Sequence, residues 1–328
     1  MRILLTHATP DRDRYYGEAA LAALRALGEV RLNETGRPLG TAGLTALARG
    51  CDVIVSDRQA AGEAALFEAL PDLAAFLRVA VDIRNVAVDA ASRQGILVCR
   101  ASPGFADSVA ELAVGFLVDL ARGISRSVED HRRGATPEVR MGVQLSGSTL
   151  GIIGYGTIGR RVAAIARALG LRVLVTDPRP APDGIEQVPL QNLLGRSHFV
   201  LCLAAATPET ERMMDAGAFA AMAPGSFFLN LSRGELVDDG ALLRALESGH
   251  LAGAALDVGR APDQMPAPAL ARHARVIATP HIGGLTPEAA QHQAFDTVRQ
   301  VEALAAGRIP EGAVNPEVLA GHRIRGSA

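Results

Sequence analysis

The chain of 328 residues contains no tryptophan, and aromatic residues make up only 4% of it. Its cores must therefore be built from aliphatic side chains. With 48% hydrophobic residues, that composition suits α/β folds whose parallel strands are buried on both faces. Only three cysteines occur. Cys51, Cys99 and Cys202 are far apart and include no Cys-x-x-Cys pair, which argues against a disulfide framework and for a reducing, cytoplasmic setting. The net charge of −2 supplies no basic face for nucleic acid and no polybasic patch for a membrane surface. No apolar run approaches the ~20 residues of a membrane span. The first residues read as a short strand followed by charge, not as a signal peptide. Histidines and cysteines nowhere show zinc-ligand spacing, so no metal is expected.

What is present is alternation. Short β-branched runs predict strands at Arg2–Thr6, Cys51–Ser56, Ile96–Cys99, Thr149–Gly154, Arg172–Asp177, His198–Leu203, Phe227–Leu231, Gly253–Val258 and Val276–Thr279. Helical periods lie between most of them, for example at Gly17–Leu27, Glu63–Leu70, Ile158–Leu169 and Asp239–Ser248. Such βαβ alternation predicts doubly wound parallel sheets. Ser108 followed by Glu111 is a capping-box signature and predicts a helix start just after the irregular Ala101–Ala106 stretch. Residues 127–145 read as a polar surface excursion, and Pro287–Ala306 as a last helix.

One motif carries direct chemistry. Gly154-Tyr155-Gly156-Thr157-Ile158-Gly159 follows an apolar strand and opens a helix, and the next strand ends in Asp177, near the usual ~20-residue spacing. Gly154 permits the tight turn, Gly156 lets the backbone approach a pyrophosphate, and Gly159 allows close helix–strand packing. The helix N-terminus offers N–H groups and partial positive charge to the phosphates. Asp177 suits the ribose hydroxyls and repels a 2′-phosphate, favouring NAD over NADP, although Arg179 weakens that preference.

Three further segments join this loop. They are Ser102-Pro-Gly-Phe-Ala-Asp-Ser-Val109-Ala-Glu111, Asn230-Leu-Ser-Arg233-Gly-Glu-Leu-Val-Asp238 and Thr279-Pro-His281-Ile-Gly-Gly284. In this order the chain resembles the D-isomer-specific 2-hydroxyacid dehydrogenases, the phosphoglycerate dehydrogenase and glyoxylate/hydroxypyruvate reductase-like group. The resemblance implies a Rossmann NAD-binding domain, 101–286, inserted in a discontinuous flavodoxin-like substrate domain, 1–100 with 287–328. It also implies a homodimer formed through the cofactor domain. His281 is expected as proton carrier, because an imidazole titrates near ~6.5. Arg233 is expected to hold the substrate carboxylate and carbonyl with its planar fork. Ser232 and Asp257 match cofactor-contacting positions, Asp257 against the nicotinamide carboxamide, with Arg233 and His281 beside them. Ala80, Val81, Asp82 and Arg84 match the substrate-carboxylate loop.

The sequence departs from the family in three places. The acid that supports the catalytic histidine is replaced by Pro262 or Ala261, leaving Asp263 as nearest substitute and Gln264 next. In the substrate loop, Ala80 and Asp82 stand where the family has glycines; Asp82 is then either a turn cap or part of a pocket for a polar, hydroxylated substrate, with Arg84 answering its charge. Leu203-Ala-Ala-Ala-Thr207 lacks the family's proline beside the nicotinamide. The expected activity is hydride transfer between NAD(H) and a 2-hydroxy or 2-oxo acid. Two alternatives stand beside it: a non-catalytic NAD-sensing regulator, or a dehydrogenase of a non-carboxylate substrate.

Overall fold

The computed structural model describes residues 1–181, 184–261 and 264–321. The chain folds as two compact units, Met1–Phe105 together with the chain from Thr286 onward, and Ala106–Leu285. No helix among the described residues is long and apolar enough to cross a membrane.

The first unit holds β1 (Arg2–Ala8), β2 (Glu29–Asn33), β3 (Val53–Ser56), β4 (Ala75–Arg78) and β5 (Leu97–Arg100). They form a parallel sheet of order β2-β1-β3-β4-β5. This is the flavodoxin-like order. Because strand side chains alternate, Ile3, Leu5, Val53, Val55 and Leu77 enter one apolar core, and Leu4, Ile54, Phe76 and Val98 enter another on the opposite face. Both faces are thus covered, as a parallel sheet requires. The helix Pro287–Ala305 belongs to this unit and adds Ala294, Val298, Val301 and Leu304 to the first core.

The second unit holds β6 (Thr149–Ile153), β7 (Arg172–Thr176), β8 (Glu186–Gln187), β9 (Phe199–Cys202), β10 (Phe227–Asn230), β11 (Gly253–Leu256) and β12 (Val276–Ala278). Their order, β12-β11-β10-β9-β6-β7-β8, is that of a Rossmann sheet with one added strand. The winding reverses between β6 and β9, the crevice where such sheets bind ligands.

Three strands escape the sequence pattern. β2 is a half-exposed edge strand with charges in it, β4 ends in a charged residue, and β8 has two residues. One local expectation is corrected. Ser108 lies inside its helix, which already begins at Ala106, and not at its N-cap; Asp107 in the first turn supplies negative charge there. The polar stretch 127–145 runs over the surface as expected, and its first part belongs to a helix, Ile124–Arg132, with basic residues in its last turn.

His7, on β1, introduces acid sensitivity. It is 4% exposed, its ring lies 5.4 Å from that of Tyr16, and burial lowers its pKa to about 4 despite the opposing pull of Asp57 and Asp11. An unfolded histidine takes up a proton near pH ~6.5 that the folded chain refuses until about 4, so stability falls across that window as pH drops. The full effect is about 3 kcal/mol. Urea unfolding of wild type and His7→Leu should therefore give a stability difference that shifts by about 2–3 kcal/mol in favour of the variant between pH 7 and pH 4.5. A difference independent of pH would show that His7 is not the titrating group.

Candidate active site

Register places the predicted residues of the second unit along one edge. Thr176 pairs Ile153, Ile153 pairs Cys202, Cys202 pairs Asn230, Asn230 pairs Leu256 and Leu256 pairs Ala278. The residues that follow these strand ends are Asp177, Gly154, Leu203, Leu231–Arg233, Asp257 and Thr279–His281. They line the carboxyl edge of one sheet, where α/β folds gather ligands.

At the reversal point, Gly154 has φ +96°, and a Cβ there would lie 2.6 Å from the Ala204 nitrogen and 2.7 Å from the Leu203 carbonyl carbon. A Cβ on Gly159 would lie 2.3 Å from the Gly154 oxygen. Gly156 differs: a Cβ would meet nothing within 4 Å, so the backbone faces open space. It precedes the helix Thr157–Ala168, whose first turn receives no side-chain cap. An open cradle backed by uncapped amides fits a dinucleotide pyrophosphate. The Tyr155 N–H donates to Asp177 Oδ2 at 2.7 Å, tying the loop to the end of β7. Asp177 Oδ1 accepts from the Arg179 N–H at 2.9 Å and from its Nε at 3.3 Å. Burial pulls the Asp177 pKa upward, but the hydrogen bonds from Arg179 and Tyr155 outweigh it and hold the carboxyl below its ordinary value.

Around Arg233 the buried Asn230 acts as a local template. Its Nδ2 donates to the Arg233 carbonyl at 2.9 Å and its Oδ1 accepts from the Ser232 N–H at 3.0 Å. The Ser232 hydroxyl donates to the Ala204 carbonyl, and Arg233 itself donates from one terminal nitrogen to the Ser232 carbonyl at 2.7 Å. His281 has a left-handed backbone, φ +55°, uncommon for a side chain other than glycine. Asp257 is 2% exposed and accepts from the Thr279 hydroxyl at 2.6 Å, the Ile282 N–H at 2.8 Å and the Gly283 N–H at 2.8 Å.

Pro262 and Asp263 lie outside the described residues. Next to them Gln264 has φ +60° and closes a turn by accepting from the Gly259 N–H at 2.8 Å; its buried side-chain oxygen has no hydrogen-bond partner among the described residues. Among those residues no group of three or more histidines, cysteines or acids could hold a metal.

In the first unit, Ala80 is buried and its carbonyl accepts from the Ala101 N–H at 3.0 Å. Asp82 accepts from the Arg84 N–H at 3.0 Å, from its Nε at 3.1 Å and from a terminal nitrogen at 2.8 Å. Arg84 thus balances Asp82 within the loop itself. Sequence reasoning missed Arg78, which is fully buried and donates to the Asp57 carbonyl and, at 2.6 Å, to Asn85 Oδ1. Burial lowers its pKa to about 10, so it remains charged at neutral pH while pinning both ends of the Val79–Arg84 loop. An arginine inside an otherwise apolar run was the available signal, since charges are buried only when answered.

Residues 114–283 match the model for the D-isomer specific 2-hydroxyacid dehydrogenase, NAD binding domain. The chain belongs to the D-isomer specific 2-hydroxyacid dehydrogenase family. It is 36% identical over 249 residues to D-3-phosphoglycerate dehydrogenase from Rattus norvegicus, covering 74% of this chain and 46% of that protein. The chain therefore spans about half the length of the curated relatives it matches. Among solved structures, the TT0316 protein from Thermus thermophilus is similar at TM-score 0.86 and 31% identity, covering 96% of this chain and 100% of that one. A glyoxylate reductase from Paecilomyes thermophila is similar at TM-score 0.82 and 25% identity, covering 97% and 99%. The cofactor of the dehydrogenase family's matched domain is NAD, and the Gly154–Gly159 cradle is built for a ligand of that shape.

Proposed function

We propose that this chain is an NAD-dependent oxidoreductase that interconverts a 2-oxo acid and its D-2-hydroxy acid. The observation that carries this reading is the single sheet edge that bears the glycine cradle, the Arg233 turn and the His281 loop together. Gly154, Tyr155, Gly156, Thr157, Ile158 and Gly159 would hold the pyrophosphate, Asp177 the adenosine ribose, and Ser232 the nicotinamide end. NADH, when bound, would supply a hydride to the carbonyl carbon. Arg233 orients the carboxylate and draws electron density toward the carbonyl oxygen. Protonated His281 gives its proton to that oxygen, and takes it back in the oxidative direction. Neither step needs a metal.

Ala80, Val81, Asp82 and Arg84 are assigned to the substrate. Backbone N–H groups of this loop suit a carboxylate, and an aspartate already matched by its own arginine is tolerated near one. The same pair selects substrates with hydroxyl groups beyond the keto carbon, since both partners can exchange one mutual hydrogen bond for one to a hydroxyl. The role of the family's histidine-supporting acid is assigned to Asp263, the nearest carboxylate in sequence to the position where that acid is replaced.

The direct test is oxidation of NADH and NADPH by purified protein across a panel of 2-oxo acids, with and without hydroxylated side chains. NADH-dependent turnover favouring the hydroxylated members is expected. Tight NADH binding with no turnover would favour the NAD-sensing alternative.

We further assign the chain a homodimer, formed through the cofactor unit, and a cytoplasmic setting. Val139 and Met141 are each 99% exposed, with Ile124 and Val128 also exposed nearby in sequence, an apolar set that a second copy would cover. The cysteines Cys51, Cys99 and Cys202 are free and buried, in keeping with a reducing compartment. Light scattering should give twice the chain mass for wild type and the chain mass for Met141→Asp combined with Val139→Asp. A wild-type monomer at micromolar concentration would contradict the assignment.

A further inference from the structure

His281 is held in a backbone conformation that a histidine rarely adopts, and something must hold it there. Its own turn supplies one bond, from the His281 N–H to the Thr279 carbonyl at 3.0 Å. Three further bonds around it converge on one side chain. Asp257 Oδ1 accepts from the Thr279 hydroxyl at 2.6 Å on one side of His281 and from the Ile282 N–H at 2.8 Å on the other. Asp257 Oδ2 accepts from the Gly283 N–H at 2.8 Å. Three donors around a residue of φ +55° make a closed clamp.

The clamp is built into the sheet. Asp257 directly follows β11; its own N–H donates to the Asn230 carbonyl at 3.1 Å, and the Thr279 N–H donates to the Leu256 carbonyl at 3.0 Å. Asn230 is also the residue whose side chain fixes the Arg233 turn. The Arg233 turn and the His281 loop therefore follow β10 and β12, on either side of β11, and are linked through Asn230 and Asp257. Gly283 is part of the device: a Cβ there would lie 2.9 Å from Asp257 Oδ2. A buried carboxylate is stable where N–H and O–H donors converge on it, and here those donors come from the loop itself.

We propose that Asp257 is a positioning residue for His281, clamping the Thr279–Gly283 loop so that the imidazole is presented in one place relative to Arg233. The inference rests on the dehydrogenase reading for His281 itself, but the clamp is a property of the loop. It is a role separate from the nicotinamide contact that the family resemblance gives this position, since these bonds run to the loop.

The two roles separate in measurement. Asp257→Asn keeps an acceptor for two of the donors but sets its amide N–H groups against the Gly283 N–H. Thr279→Val removes one donor without touching Asp257, and Thr279→Ser restores it. Expected are a fall in kcat of about 100-fold for Asp257→Asn and about tenfold for Thr279→Val, near-wild-type kcat for Thr279→Ser, and an NADH Kd within about twofold of wild type throughout. Unchanged kcat, or a loss expressed only as weaker NADH binding, would overturn the clamp. Hydrogen exchange at the Ile282 and Gly283 amides reads the same device without substrate and should quicken in Asp257→Asn and Thr279→Val. Unchanged exchange would overturn the proposal. Faster exchange in a protein whose wild type reduces no 2-oxo acid would instead fault the dehydrogenase reading and leave the clamp standing.

Discussion

Replacing His281 by Asn is expected to lower turnover of a 2-oxo acid by about 10²–10⁴-fold while leaving NADH affinity unchanged. Asparagine is the informative choice because position 281 has φ +55°, and asparagine tolerates the left-handed region better than alanine does. The loss then reports the missing proton carrier and not a collapsed loop. Arg233→Lys should be almost as damaging, by about 10²-fold in kcat/KM, since lysine keeps the charge but loses the planar fork. The turn beneath it would survive, because Asn230 binds the main chain at Ser232 and Arg233. Steady-state kinetics with direct NADH titration checks both. Retained turnover in either variant would move the chemistry to other residues.

The second large effect separates two glycines only two positions apart. Gly156→Ala meets no atom within 4 Å, so the protein should fold with unchanged thermal stability. Its methyl would nonetheless stand in the cradle and cost NADH affinity about 10–100-fold, the loss of one charge-assisted hydrogen bond. Gly154→Ala should do the reverse first. Its methyl runs into the backbone of Leu203 and Ala204 at φ +96°, and stability should fall by at least about 2 kcal/mol. Calorimetry of both apo proteins with NADH titrations would reveal the split. Equal stability losses in the two variants would mean that the cradle is not open as described.

Much of this was legible in the chain. The alternation of short apolar runs with helical periods announced two parallel sheets, because buried parallel strands leave nearly continuous Val, Ile and Leu runs. Strands with one poor face were invisible to that test: β2 carries Glu29 and Arg31, and β4 ends in the buried Arg78. The helix at Ala106 began two residues before the Ser108 signature, since a capping motif in sequence does not say which turn uses it. Pattern reasoning finds residues that face a ligand more readily than those that hold them. Asn230 and Thr279 bond mainly to backbone or to neighbouring side chains, and nothing in residue type or spacing distinguishes them from ordinary polar strand ends; Arg78 showed only as a charge inside an apolar run. Asp257 was expected from the resemblance as a nicotinamide contact, but that its oxygens bind the His281 loop depends on how β11 and β12 pair. Register, not composition, carries that information.

In the proposed reaction a hydride passes directly to the keto carbon of a 2-oxo acid while His281 supplies the proton, and that leaves its mark on the product. NADH deuterated at the transferring C4 position, incubated with the best 2-oxo acid of the panel, tests this most directly. The product, separated by chiral chromatography and weighed by mass spectrometry, should be the D-2-hydroxy acid alone, with one deuterium at C2. An L or racemic product, deuterium lost to water, or no oxidation of NADH with any acid would contradict it.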